Sequence, residues 1–285
     1  MIVVVLALLS SAAWGASDFA GGLQTRSAPI PAVLVISQAA GFIVLVAVLA
    51  ASGQPAPAWH QLSMSAAAGV LGAFELGLLY LAISRGPVIV VAPVAAAGAV
   101  LPVIAGALAG NHLGIVAVLG IACALTGATA AAWDPGEAPL GKRRHIGTGA
   151  LLALAAAAAI GVLLILFNHA AVASPTWAAA GVGAGGLAST AVLLLVPPLR
   201  RQILTARPAR ALSAMAGIGV LNACGDLSFA FASAHGQLAV VAVLSSLYPV
   251  VTVLLAAGVL RERVRPPQAI GAIVALCGVL LLGAA

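Results

Sequence analysis

Of the 285 residues, 63% are hydrophobic and 6% charged, with a mean hydropathy of +1.21, where an ordinary soluble domain carries about 25% charged residues. Twelve Lys and Arg against six Asp and Glu, a net charge of +6, are too few charges to cover a water-soluble surface of this length, which excludes a soluble fold and leaves a polytopic membrane protein. The basic residues sit in short clusters between apolar runs, so membrane orientation accounts for them and nucleic acid is not implied.

A hydrocarbon core of about 30 Å takes roughly 20 apolar residues per helix. Cutting the chain where Pro, Gly and charges interrupt the apolar runs gives ten spans. Span one, 2–23, imitates a secretory signal at Ser11-Ala12-Ala13, but it has no basic leading region and nine spans follow, so it is read as a helix; it carries Trp14 and Asp18. Span two is 31–51. Span three, 62–83, carries Glu75 and Tyr80, and span four, 87–109, carries Pro93 and Pro102. Span five, 113–133, is followed by a basic linker, 136–146, and by spans six, 149–171, and seven, 176–196. Span eight, 211–234, holds Asn222 and Asp226; span nine, 237–260, holds Pro249; span ten is 268–284. Cys123, Cys224 and Cys277 lie in apolar runs without metal or disulfide spacing and are expected to be packing residues. The five histidines fall at loops or span ends with no metal spacing, so no metal and no cofactor is expected.

The loops check the span count. Arg26, then Arg85, then Lys142 with Arg143 and Arg144, then Arg200, Arg201, Arg207 and Arg210, then Arg261, Arg263 and Arg265 occupy successive odd-numbered loops and are all 12 basic residues. A missed or invented helix scrambles that alternation. By the positive-inside rule the odd loops are cytoplasmic and both termini lie on the extracytoplasmic side. Trp59, Trp133 and Trp177 fall at span ends, as an aromatic belt requires, while Trp14 alone lies within a span.

The two halves resemble each other. At a spacing of 146, Leu6, Gly15 and Pro29 meet Leu152, Gly161 and Pro175; at 150, Gly86 meets Gly236; at 151, Gly120 and Gly127 meet Gly271 and Gly278. Residues 1–135 and 147–285 thus form two repeats of five spans each. An odd number of spans makes the second repeat enter the bilayer from the opposite side, giving inverted repeats with a substrate site near the midplane where the halves meet.

The run from Ala234-His235-Gly236-Gln237 through Tyr248-Pro249 to Leu255, then Arg261-Glu262-Arg263 and residues 268–278, closely resembles the last two helices of EamA proteins of the drug/metabolite transporter superfamily. Trp14-Gly15 with Ser17-Asp18-Phe19 is similar to that family's first helix, and Arg85-Gly86-Pro87 through Pro93 to its third-to-fourth helix turn. The resemblance covers essentially the whole chain and implies an all-α membrane protein of ten transmembrane helices in two inverted five-helix repeats. Two departures stand out: Asn111-His112 where the family often carries Gly-Glu, and a charge pattern that puts the termini outside where family members are often drawn with cytoplasmic termini.

An ionisable group in the bilayer costs about 2.5 to 3.5 kcal/mol on insertion scales. Asp18, Glu75 and Asp226 are the three present, and every Lys and Arg is at a loop or span end. Without an intramembrane cation each acid is protonated, solvated in a cavity, or faces a cationic substrate. The competing reading is a neutral acid hydrogen-bonded to a neighbouring helix. Asn222 and Asp226, i and i+4, share a helix face, and Glu75 with Tyr80 occupies the equivalent region of span three; these four, with Asp18 and Trp14, are the substrate-binding or proton-coupling candidates. Pro93, Pro102 and Pro249 are hinge candidates, each able to remove a backbone bond inside an apolar helix; a static bend is the alternative.

These features fit a transporter that moves a small metabolite or drug across the cytoplasmic (bacterial inner) membrane by alternating access, expected to be an exporter of amino acids or related molecules, with protons as coupling ion. Spans one, three, four, six, eight and nine are expected to line its cavity, and spans five and ten to lie at the periphery or form a homodimer contact. The alternative class is an intramembrane enzyme or passive channel acting on a small or lipidic substrate. No HExxH, GxSxG or DxxxD motif and no filter sequence supports it, so the chain is not expected to be an enzyme.

Overall fold

The computed structural model describes residues 1–85, 91, 94–95, 97–108, 114–132, 140–205, 209–236, 238–260 and 266–284, and among these there is no strand. The helices are α1 (Ile2–Gln24), α2 (Ile30–Ser52), α3 (Trp59–Arg85), α4 (Val100–Leu108), α5 (Ile115–Ala132), α6 (Leu140–Ala173), α7 (Pro175–Ala191), α8 (Pro197–Thr205), α9 (Ala209–His235), α10 (Leu238–Ser245), α11 (Tyr248–Leu255) and α12 (Pro266–Ala284). Among the described residues six stretches are long and apolar enough to cross a membrane: Ile2–Gln24, Ile30–Ser52, Trp59–Arg85, Leu151–Ala173, Pro175–Leu195 and Arg210–His235. Large apolar side chains such as Ile43, Phe74, Val172 and Ile273 stand on the outer surface, an arrangement that lipid rewards and water does not.

Local signals set the helix ends. Thr25 closes α1, its hydroxyl donating to the Gly22 carbonyl at 2.8 Å. Pro29 and Pro175 start α2 and α7, where a missing N–H costs nothing. Gly53, at φ 60°, ends α2 in the left-handed region that glycine enters without strain. The turn after it is tied to α7, since the Ser174 hydroxyl donates to Gln54 Oε1 at 3.0 Å and Trp177 Nε1–H to the Gln54 carbonyl at 3.0 Å.

The apolar part of α6, Leu151–Ala173, agrees with span six, and the helix itself continues back to Leu140. Span nine is not one helix: it breaks at the Ser246–Leu247 turn into α10 and α11 and ends in a π-helical segment, Ala256–Leu260. Pro249 therefore sits in the first turn of α11 and Pro102 in the first turn of α4, which follows a 3-10 turn at Ala97–Ala99, so neither proline interrupts a helix interior. Pro93 lies outside the described residues. Cys224 and Cys277 are exposed on the outer surface rather than packed, and Cys123 is half-buried.

The packing is reciprocal. α1 lies on α9 as α6 lies on α3; α3 lies on α7 as α9 lies on α2; α2 meets α7, and α5 meets α12. Glycines at matching positions let the backbones touch. A Cβ on Gly69 would strike the Val182 carbonyl and stand 2.8 Å from the Gly186 nitrogen; one on Gly219 would strike the Ser37 carbonyl and stand 2.8 Å from the Gly41 nitrogen. Gly15 presses on the Tyr248 carbonyl and Val251, Gly161 on the Gly98 carbonyl and Leu101. These contacts put Tyr248 opposite Gly98, a spacing of 150. At the periphery α5 and α12 bury Gly120, Gly127, Gly271 and Gly278 and turn Ile115, Val118, Ile270 and Ile273 outward.

Candidate substrate cavity

The helices that meet at these glycines enclose a cavity of about 50 Å³, room for a few water molecules. α1 turns Trp14 and Asp18, one turn apart, towards it, and α9 does the same with Asn222 and Asp226. α3 contributes Gly69, Gly72, Glu75 and Leu76, positions that fall on one helical face. Gln38 of α2, Ile160 and Leu163 of α6, Val182 of α7 and Tyr248 of α11 complete the wall.

All three membrane acids therefore converge, at 6%, 4% and 9% exposure for Asp18, Glu75 and Asp226. Trp14 Nε1–H donates to Asp226 Oδ1 at 3.0 Å, joining α1 to α9. Gly225 makes that bond reachable, because a Cβ there would overlap the indole. The indole is held by Phe229, with ring centroids 5.4 Å apart, and edge-on by Tyr248 at 6.5 Å; Phe167 backs Phe229 at 5.0 Å. Glu75 and Asp18 lie within electrostatic reach of each other, and among the described residues no hydrogen bond satisfies either carboxyl. Two carboxyls sharing a low-dielectric site need a proton or a cation between them. Gln38, Asn222 and Asp226 also border a smaller void of about 10 Å³ between α2, α7 and α9, which extends the polar surface on that side.

Buried hydroxyls fix α1 in place beside the cavity. Ser17 donates to the Ile218 carbonyl of α9 at 3.2 Å, and Thr252 to the Gly15 carbonyl at 3.1 Å. Among the described residues the buried Tyr248 hydroxyl has no hydrogen-bond partner.

Five of the six candidates from the sequence, Trp14, Asp18, Glu75, Asn222 and Asp226, line the cavity, and Tyr80 does not. Five residues on a helix turn about 140°, which carries Tyr80 off the face of Glu75 and against Gly21, fully buried. The wall also differs from expectation: spans two and seven contribute to it, and no described residue of span four does. Gln38 and Tyr248 were missed. An amide midway along an otherwise apolar span was a readable sign for Gln38; Tyr248 carried no such sign, since its position depends on the break in span nine.

Comparison with known proteins follows this geometry. The model of the EamA-like transporter family matches residues 147–284. No curated protein matches the chain. A solved crystal structure is similar over 98% of this chain and 96% of that one, with a TM-score of 0.66 at 19% identity, a likeness of fold. With several helices fit to span a bilayer, the chain is a multi-pass membrane protein, and its residues 147–284 match the EamA-like transporter family of the drug/metabolite transporter superfamily.

Proposed function

We propose that the chain carries a small metabolite or drug, of the amino-acid-like class, out across the cytoplasmic membrane by alternating access, with protons as the coupling ion. One observation carries this: three buried acids from α1, α3 and α9 converge on a single small cavity lined by helices of both halves of the chain. Ten spans in two inverted five-helix repeats, with both termini outside, are part of the same proposal. The reciprocal helix packing and the matched glycine contacts support it.

A cavity of about 50 Å³ is well below the roughly 300 to 1,000 Å³ of ordinary ligand pockets, so in this conformation it is too small for such a substrate, which enters only when the halves part. The Trp14–Asp226 bond holds α1 to α9 across that boundary. It is stronger when the carboxylate is ionised and weaker once a proton arrives. Protonation thereby acts on the contact that closes the site, and a ligand shifts the equilibrium as far as its affinities for the two access states differ. α11 joins in, because Tyr248 stands at its start, immediately after the break at Ser246–Leu247.

Flux into liposomes reconstituted with the purified protein tests the reading. Saturable, gradient-coupled uptake is expected. Turnover of lipid or a non-saturable leak replaces it with an intramembrane enzyme or a channel.

A further inference from the structure

We propose that the group this cavity recognises is an organic ammonium, so that the substrate is a small amine with an apolar body and no free carboxylate. This rests on the transporter reading above; among small metabolites and drugs it selects amines, and it replaces the amino-acid-like class named there.

Asp18, Glu75 and Asp226 line the cavity, and among the described residues no Lys, Arg or His does. A bound anion meets three carboxyls and no counter-charge, whereas an ammonium with three N–H donors satisfies the Asp18 and Glu75 oxygens that no described residue bonds. The carboxylate of a zwitterion finds only the neutral donors Gln38, Asn222 and Tyr248, beside the same acids.

The repeat relates α1 to α6 at a spacing of 146 and α3 to α9 at 150, so Trp14 corresponds to Ile160, Asp18 to Leu164, Glu75 to Gly225 and Asp226 to Leu76. The backbone is duplicated and its chemistry is not. Every acid is opposed, at the matching position, by an aliphatic residue or glycine. The α6 and α7 contributions to the wall, Ile160, Leu163 and Val182, are all aliphatic. A ligand that matches this wall carries both a charged group for the acids and an apolar body for the aliphatic side chains. The rings of Trp14 and Tyr248 in the same wall suit an ammonium, through cation–π attraction. They do not suit a bare metal cation, which takes about six oxygen ligands.

Three probes that share one ring and differ in charge separate the possibilities: phenethylamine, a cation; phenylalanine, a zwitterion; and phenylacetate, an anion. Equilibrium binding to the full chain in nanodiscs and flux in proteoliposomes are measured for each. Phenethylamine is expected to bind about tenfold or more tighter than phenylalanine, phenylacetate not to bind, and Glu75→Gln to remove most of the preference. Phenylalanine or phenylacetate binding as tightly as phenethylamine overturns the ammonium assignment; their saturable flux in that case leaves the transporter reading standing. Absence of saturable flux for all three overturns both.

Discussion

Adding a single methyl group to Gly69 tests the packing that closes the cavity. Gly69 lines the cavity and touches the α7 backbone, so the Cβ of Gly69→Ala overlaps the Val182 carbonyl and sits 2.8 Å from the Gly186 nitrogen. Those are main-chain atoms, which cannot swing aside as the end of a side chain does, so the cost falls at the upper end of the roughly 1–3 kcal/mol typical of overpacking. Alanine's better helix propensity returns up to about 1 kcal/mol, leaving a net loss of about 1–2 kcal/mol. Gly219→Ala meets the Ser37 carbonyl and the Gly41 nitrogen in the same way and should lose a similar amount. Gly217→Ala has nothing within 4 Å of its new Cβ and should be neutral or slightly stabilised. Thermal unfolding of the three purified variants in one detergent makes the comparison. If Gly69→Ala is as stable as Gly217→Ala, the backbones of α3 and α7 are not in contact and the cavity wall is drawn wrongly.

Trp14→Phe removes the N–H that bonds Asp226 at 3.0 Å while keeping a ring against Phe229 and Tyr248. It should cost about 1.5–3 kcal/mol, the range for hydrogen bonds to charged groups, and shift the pH dependence of flux; an unchanged pH profile denies that bond a part in coupling. A reporter fused at Ala285 should lie outside the cell. Fluorescence from a fusion that folds only in the cytoplasm overturns the orientation drawn from the 12 basic residues.

Much of the site was legible because chemistry in a bilayer is sparse. Asp18, Glu75 and Asp226 stand out as acids in apolar spans, and the i, i+4 spacing of Asn222 and Asp226 puts both on one face. What stayed hidden depends on tertiary contacts. Gln38 reaches the site because α2 packs on both α7 and α9, with Gly41 against the backbone of Gly219. Tyr248 reaches it because span nine breaks before Pro249, a position that hydropathy reads as uninterrupted. α8 was read as part of a basic loop. Its nine residues alternate Leu199, Ile203 and Leu204 with Arg200 and Arg201, a pattern too short and too polar for a spanning helix and suited to the membrane surface. The matched glycines of the halves were visible; that Trp14 and Asp18 share a cavity wall with the aliphatic Ile160 and Leu163 came only from the packing.

The most direct test is phenethylamine flux into proteoliposomes under an imposed pH gradient, compared among wild type, Glu75→Gln, Asp226→Asn and, as a control outside the spans, Asp134→Asn. Saturable flux that follows the gradient in wild type and Asp134→Asn, and is lost or uncoupled in Glu75→Gln and Asp226→Asn while those variants stay inserted and monodisperse, is the expected result. Wild-type flux at every pH in both membrane variants would contradict it and reduce the buried acids to structural residues.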